Sequence, residues 1–314
     1  MKEYLLISLL LIAGSCKSPS HITKSKKIAG PESEKTLSSS IQKAGVITVG
    51  RLTFNYIEQG SGQPVVLVHG SVSDYREWSK QIAVLSQYYR VIAYSRRYHW
   101  PNLPPGPDAD ATLEKQVDDL EGIITALGLG PVHIIGHSYG GAVAIHLMLR
   151  RPDLLQTLVL AEPAVAGILS YTGENDSALK EGQAIRARMK EVFASGNAEL
   201  IVKTYADHVA PGRFEKSTQE ERKILLENVS AFQLDNTSQR PPFTCDDAQK
   251  IGVPVLVISG NLSSMGLQRI AEMTAHCIKG SQLIKIPEAT HWMVNEQEKV
   301  FNDAVLEFLN KNKK

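Results

Sequence analysis

The stretch IIGHSYGG, Ile134–Gly141, decides how the rest of this chain is read. VHIIGHS (Val132–Ser138) is an apolar run that predicts a buried strand, and a helix is expected to start near Tyr139. G-x-S-x-G between strand and helix demands a turn sharp enough to push the Ser138 hydroxyl out above a sheet. A side chain at Gly136 or Gly140 would collide with the neighbouring backbone, so the turn needs small residues there. An ordinary glycine-rich turn also fits the pentapeptide alone. Its place between strand and helix makes Ser138 the candidate nucleophile.

Outward from that turn, short β-rich runs alternate with helical patterns. VITVGRLTFNYIE (Val46–Glu58) predicts a hairpin, and PVVLVHG (Pro64–Gly70) and RVIAYS (Arg90–Ser95) predict strands with a helix around Arg76–Gln87 between them. Ala111–Leu127 has apolar residues at helical spacing and Gly128 near its end. TLVLAEP (Thr157–Pro163), PVLVISG (Pro254–Gly260) and QLIKIP (Gln282–Pro287) follow as strands, and Glu296–Leu309 as a last helix. Strands separated by helices place the chain in the α/β class, with a mainly parallel central sheet flanked by helices. Between Pro163 and Cys245 the alternation stops, and helical patterns occur near Ala178–Ala194, Ala198–Val209 and Thr218–Ala231. An inserted helical cap over residues 164–245, interrupting a core of 45–163 and 246–314, is the expected organisation. The cap is read as a lid over a site, with a packing elaboration as the alternative.

The 314 residues carry a formal net charge of +1, with 43% hydrophobic and 21% charged residues, enough for one large domain with a substantial core. Near-neutral charge removes the electrostatic case for nucleic acid. MKEYLLISLLLIAGSC, residues 1–16, has a short basic start, then an apolar run too short for an ordinary membrane span, then small residues. It resembles the signal peptide of bacterial lipoproteins, although Ala13 stands where leucine is usual. That resemblance implies removal of residues 1–15, lipidation of Cys16, and a periplasm-facing place in the cell envelope. Ordinary secretion with cleavage after Ser15 is the alternative. Residues 16–44, rich in Ser, Lys and Pro and including KSKK at Lys24–Lys27, are expected to be a flexible tether. Contact with membrane is expected only through the anchor. Outside the cytoplasm Cys245 and Cys277 are free to form a disulfide, or to remain two buried thiols.

From about Gly45 to Leu309 the chain resembles an α/β-hydrolase-fold protein with a helical cap. LVHGS (Leu67–Ser71), GHSYGG (Gly136–Gly141) and IPEATHW (Ile286–Trp292) carry that resemblance, in this order. It implies a serine–acid–histidine triad in chain order, no metal and no organic cofactor. Esterases, lipases, C–C bond hydrolases and cofactor-free perhydrolases share the family; Ser138 argues against the members that use an aspartate nucleophile. His291, on the loop after the strand Gln282–Pro287, is the expected base, because imidazole titrates near neutrality. His69 and His137 are expected to pack or hydrogen-bond locally, and His133, His146 and His276 to be structural. The oxyanion donors are expected to be the backbone N–H of Tyr139 and that of Ser71, with Val72 as fallback.

Two departures from the family pattern matter. Many relatives carry an aspartate three residues past the glycine that ends the strand at Pro254–Gly260. Here that position is Ser263, Asn261 is the nearest polar residue, and Val253–Ala271 contains no Asp or Glu. Glu162, at the end of the strand Thr157–Pro163, is the expected replacement, ahead of Asp246, Asp247 and Glu288. The second departure is YSRRYHW (Tyr94–Trp100), where the pair Arg96 and Arg97 could receive a substrate carboxylate or could tie loops together; Arg96 and Trp100 are the substrate-binding candidates. The expected function is hydrolysis of a small or medium carboxylic ester, a small-molecule substrate, through an acyl-enzyme. A C–C bond hydrolase of the same fold, or a non-catalytic binding protein that has lost its acid, are the alternatives.

Overall fold

Eight strands form one sheet in the order β1-β2-β4-β3-β5-β6-β7-β8. They are β1 (Lys43–Val49), β2 (Leu52–Gln59), β3 (Pro64–Val68), β4 (Arg90–Tyr94), β5 (Val132–His137), β6 (Leu155–Ala161), β7 (Val255–Gly260) and β8 (Gln282–Ile286). β1 pairs antiparallel with β2, and β2 with β4; every pairing from β4 through β8 is parallel. The computed structural model describes residues 42–173, 176–238 and 240–313. The lipoprotein-like segment, Cys16 and nearly all of the tether therefore lie outside the described residues. Among the described residues no helix is long and apolar enough to cross a membrane.

The central strands read as nearly unbroken apolar runs because helices cover both faces. Val66, Val68 and Ile134 point to one face, against α2 (Leu113–Ala126) and α3 (Tyr139–Arg150). Val65, Leu67 and Ile135 point to the other, against α1 (Ser79–Leu85) and the C-terminal α12 (Glu298–Lys311). α2 shows why the periodicity was readable. Leu113, Val117, Leu120, Ile123 and Ile124 are buried on one stripe, Thr112 caps the start by accepting from the Lys115 N–H, and Gly128 follows the end at φ 63°. Truncating a fully buried residue such as Leu120 to alanine costs about 2–5 kcal/mol by this kind of packing.

Between β6 and Cys245 the described residues contain no strand, and their α-helices are α4 (Ser177–Ala194), α5 (Ala198–Val209), α6 (Arg213–Lys216), α7 (Gln219–Glu227) and α8 (Val229–Thr237). Met189, Val192, Phe193, Ile201, Val202, Phe214 and Phe232 form a small core of their own, joined by Val72 from the loop after β3. Polar ties hold this cap to the loops at the ends of β3 and β4. Arg76 bridges to Glu227 at 2.6 Å, and the Asn228 amide donates to Asp74 at 2.8 Å. The expected helix at Thr218–Ala231 is in fact two, α7 and α8, broken at Asn228, whose amide oxygen accepts the Trp100 N–H at 2.8 Å.

The remaining elements are α9 (Cys245–Ala248), α10 (Met265–Cys277) and α11 (Met293–Glu296). The sequence reading assigned no helix at Met265–Cys277, yet Gly266, Ile270, Ala271, Thr274 and Cys277 are buried at helical spacing. Cys245 and Cys277 form a disulfide across 32 residues of chain, linking α9 to the end of α10.

Candidate active site

The end of β5 and the start of α3 meet at Ser138, whose backbone is held at φ 51°, ψ −116°. A left-handed serine is strained, and the surroundings over-determine it. Its N–H donates to the Ala161 carbonyl at 2.9 Å, and its own carbonyl accepts from Gly141, Ala142 and Ala164. A Cβ on Gly136 would stand 2.7 Å from the Gly140 carbonyl oxygen, and one on Gly140 only 2.1 Å from that of Val68. The glycines therefore let β3, β5 and α3 close on one another around the serine.

Glu162 directly follows β6 at φ 42° with its side chain fully buried. One oxygen accepts from the Ser259 hydroxyl at 2.8 Å and the Gly260 N–H at 2.9 Å; the other accepts the His291 Nδ1–H at 2.7 Å. The loop that carries His291 crosses the end of β7 so closely that a Cβ on Gly260 would stand 2.4 Å from the Ala289 carbonyl oxygen. Donation from Leu262 N–H to that same carbonyl, at 2.8 Å, fixes the crossing. His291 is buried, and its Nε2 hydrogen-bonds to no protein group among the described residues. Burial opposes ionisation of Glu162, but the hydrogen bond and charge of His291 outweigh it and hold the carboxyl below its ordinary range. His291 itself is pushed below 6.5 by burial first and the charge of His137 second, with Glu162 pulling the other way.

His137 is more than local packing. Its Nε2–H donates to the His291 carbonyl at 2.9 Å, its Nδ1 faces Glu77 Oε1 at 3.0 Å, and its ring centre lies 4.6 Å from that of His291. A carbonyl only accepts, so Nε2 carries a proton, and a second proton on Nδ1, facing Glu77, makes the ring cationic. Burial disfavours that charge, yet Glu77 overcomes it and raises the His137 pKa. Glu77 Oε2 also accepts the Gly70 N–H at 3.2 Å. Sequence reading missed Glu77, since nothing local distinguishes it from a solvated helix residue.

Of the other carboxylates weighed as the acid, Asp247 caps α9 through Thr244, and Asp246 accepts from the Tyr171 hydroxyl at 2.6 Å. Glu288 is exposed, as is Asn261, while Ser263 is buried. Ser71 lies beside Ser138 on the wall of a cavity of about 520 Å³, and Tyr139 is the first residue of α3, where helical N–H groups lack an intrahelical acceptor. His291 lines the same cavity, together with Met189, Phe193, Tyr205 and Phe232 from the cap.

The substrate-binding expectation for Arg96 and Trp100 needs correction, because neither lines this cavity. Arg96 is 1% exposed; its guanidinium donates to the carbonyls of His69 at 3.2 Å and Gly70 at 3.0 Å, to Gln116, and to Asp235 of α8 at 2.9 Å. Its donors are consumed in holding the chain that leads into Ser71, and in tying that chain to the cap. Arg97 is likewise paired with Asp119 at 2.6 Å. Trp100 lies under the Arg76 guanidinium, 3.7 Å from its ring centre, and edge-on to Tyr75. Among the described residues no group of three His, Cys, Asp or Glu side chains is placed to hold a metal ion.

A sequence model described as the Alpha/beta hydrolase family matches residues 65–304. Among curated proteins, (E)-2-((N-methylformamido)methylene)succinate hydrolase of Acinetobacter baylyi is 29% identical over 247 residues, covering 77% of this chain and 88% of that protein. The 2-hydroxy-6-oxo-6-(2'-aminophenyl)hexa-2,4-dienoic acid hydrolase of Metapseudomonas resinovorans is 27% identical over 292 residues, covering 89% and 94%. Among solved structures, a malate-bound thermophilic esterase from Thermogutta terrifontis aligns with a TM-score of 0.70 at 26% identity, over 87% of this chain and 100% of that one.

Proposed function

The chain belongs to the alpha/beta hydrolase family and is a hydrolase, and from that premise we propose that Ser138, His291 and Glu162 are a catalytic triad that cleaves a small or medium carboxylic ester. One observation carries the reading. His291 is pinned through Nδ1 by a buried carboxylate while its Nε2, free of protein partners, shares a cavity with Ser138.

Ser138 Oγ attacks the ester carbonyl as its proton passes to His291 Nε2. The resulting imidazolium is stabilised by Glu162, whose lowered pKa keeps it anionic. Negative charge on the carbonyl oxygen meets the N–H groups of Ser71 and Tyr139, and a preorganised donor of this kind is worth about 2.7–4 kcal/mol. Collapse expels the alcohol, which takes the proton from Nε2 and leaves the acyl group on Ser138. Water then attacks with His291 as base, and the second collapse releases the acid and returns the proton to Ser138. The cap over residues 164–245 acts here as the lid.

A C–C bond hydrolase is the second reading, favoured by the likeness to the hexadienoic acid hydrolase of M. resinovorans. The binding-protein reading loses its motive, since a carboxylate does reach His291. For the N-terminus the proposal is a lipid anchor at Cys16 in the cell envelope, or plain secretion. Cys16→Ser is expected to move the protein from the membrane to the soluble fraction.

Turnover of a para-nitrophenyl ester, together with labelling of Ser138 by a fluorophosphonate, tests the main proposal. Both are expected, and both should vanish in Ser138→Ala. Absence of hydrolysis and of labelling in the wild type overturns it.

A further inference from the structure

We propose that the Ser138 cavity takes an ester that itself carries a carboxylate, received by Arg240 with Arg186 and Lys190 at the outer wall; this rests on Ser138 being the nucleophile. The sequence reading looked for that cation at Arg96, which the fold consumes in other contacts. The cavity nevertheless has cations of its own. Arg186, Lys190 and Arg240 line it, no Asp or Glu does, and none of the three has an ion-pair partner among the described residues. Net charge over the whole chain is only +1, so this excess is local.

Arg186 and Lys190 are four residues apart on α4 and share one face of that helix. Arg188, between them, is turned elsewhere and pairs with Glu191 at 3.1 Å. The nearby Glu181 shares a neighbouring cavity with Arg186 but does not line that of Ser138; it accepts the Gly266 N–H at 3.0 Å and forms no ion pair with Arg186. Arg240, just past α8, is the fixed member. Two of its N–H groups donate to the Asp235 carbonyl, at 3.3 and 2.8 Å, and its guanidinium stacks 4.4 Å from the ring centre of Tyr139. That ring is fully buried behind the cavity wall, so the stacking fixes the guanidinium of a residue that lines the same cavity as Ser138. Five N–H donors less two leaves three, enough to meet a carboxylate bidentately. The Asp235 carboxylate forms no direct ion pair with Arg240, being shared by Arg96, Gln116 and His99, and the two charges act on each other only through space. Phe193 and Met189 supply an apolar wall, on which a short hydrocarbon segment between ester and carboxylate can lie.

Two matched pairs of substrates test this: para-nitrophenyl hydrogen adipate against para-nitrophenyl methyl adipate, and para-acetoxybenzoate against its methyl ester. The first puts the charge on the acyl side, the second on the alcohol side. In at least one pair the charged ester is expected to have the higher kcat/KM, by about tenfold or more at low salt. The charged-to-neutral ratio should fall about tenfold in Arg240→Gln, and again in the double variant Arg186→Gln/Lys190→Gln. Ratios at or below one in both pairs, with the neutral esters turned over, overturn the inference and leave the esterase reading standing. Should no ester be hydrolysed, the esterase reading fails by itself. Adipate binding by calorimetry then decides the anion site: binding weakened by Arg240→Gln supports it, and no binding overturns it.

Discussion

Replacing Glu162 by glutamine probes the pairing on which the proposed mechanism depends while changing almost no volume. In the native site Oε1 accepts from both Ser259 and Gly260, and a backbone N–H such as that of Gly260 cannot reverse its role. The glutamine oxygen must therefore stay on that side, which turns its NH₂ group toward His291 Nδ1. Keeping the proton on Nδ1 would bring two donors face to face in a buried site, at a cost of about 1–3 kcal/mol. The imidazole escapes by moving its proton to Nε2, where it can no longer accept from Ser138. The charge that stabilises the imidazolium is lost as well. An amide in this role costs about 10⁴-fold in kcat, which is about 5.4 kcal/mol of transition-state stabilisation. The assay is kcat/KM on a para-nitrophenyl ester with the rate of fluorophosphonate labelling, circular dichroism confirming that the variant is folded. Turnover within about tenfold of wild type would refute the reasoning and send the search for the acid to Asp246 or Asp247.

In the proposed triad the neutral form of His291 is the base, and burial holds its pKa below 6.5, so kcat/KM should hold as pH falls through 6.5 and drop only under more acid conditions. An acid limb at or above 6.5 contradicts this; Glu162, with its own pKa lowered, stays ionised across that window. Glu77→Gln removes the partner that raises the His137 pKa; the repulsion of His291 by His137 falls by more than the smaller direct pull of Glu77 that is lost with it, so the acid limb should move to higher pH. Breaking that buried pair should also cost about 3–5 kcal/mol, read as a lower Tm; a limb moved to lower pH would show that His137 is uncharged and that only the direct pull of Glu77 was lost. Cys277→Ser opens the loop closed across 32 residues and should cost about 3–4 kcal/mol of stability, whereas an unchanged denaturant midpoint would show that the bond contributes nothing.

Strand and helix patterns were legible wherever one short window held the whole signal. The unbroken apolar runs of β3, β5, β6 and β7 mark strands covered on both faces, and the α2 stripe with Gly128 beyond it marks a helix and its end. Helix α10 carries the same kind of spacing, but its buried stripe is mostly small residues, Gly266, Ala271, Thr274 and Cys277 beside Ile270, so its apolar period is weak. Arg96 shows where local reading fails. Its neighbours in the chain say that it lies near a strand end, but its partners are Gln116 and Asp235, the latter 139 residues away, and they decide whether its donors are free. Glu77, Tyr205 and Arg240 left no signal at all, since their positions come from packing between the cap and the sheet.

By itself the sequence determined the α/β class and the sharp turn at Ser138, because both follow from short-range sterics and the period of apolar residues. It also narrowed the acid to a few carboxylates. Only the tertiary structure decided which of them meets His291, because 129 residues of chain separate Glu162 from its partner. A hydrogen bond needs an atom within about 3 Å, and that distance is set by the order and register of β6, β7 and β8, which no local pattern encodes.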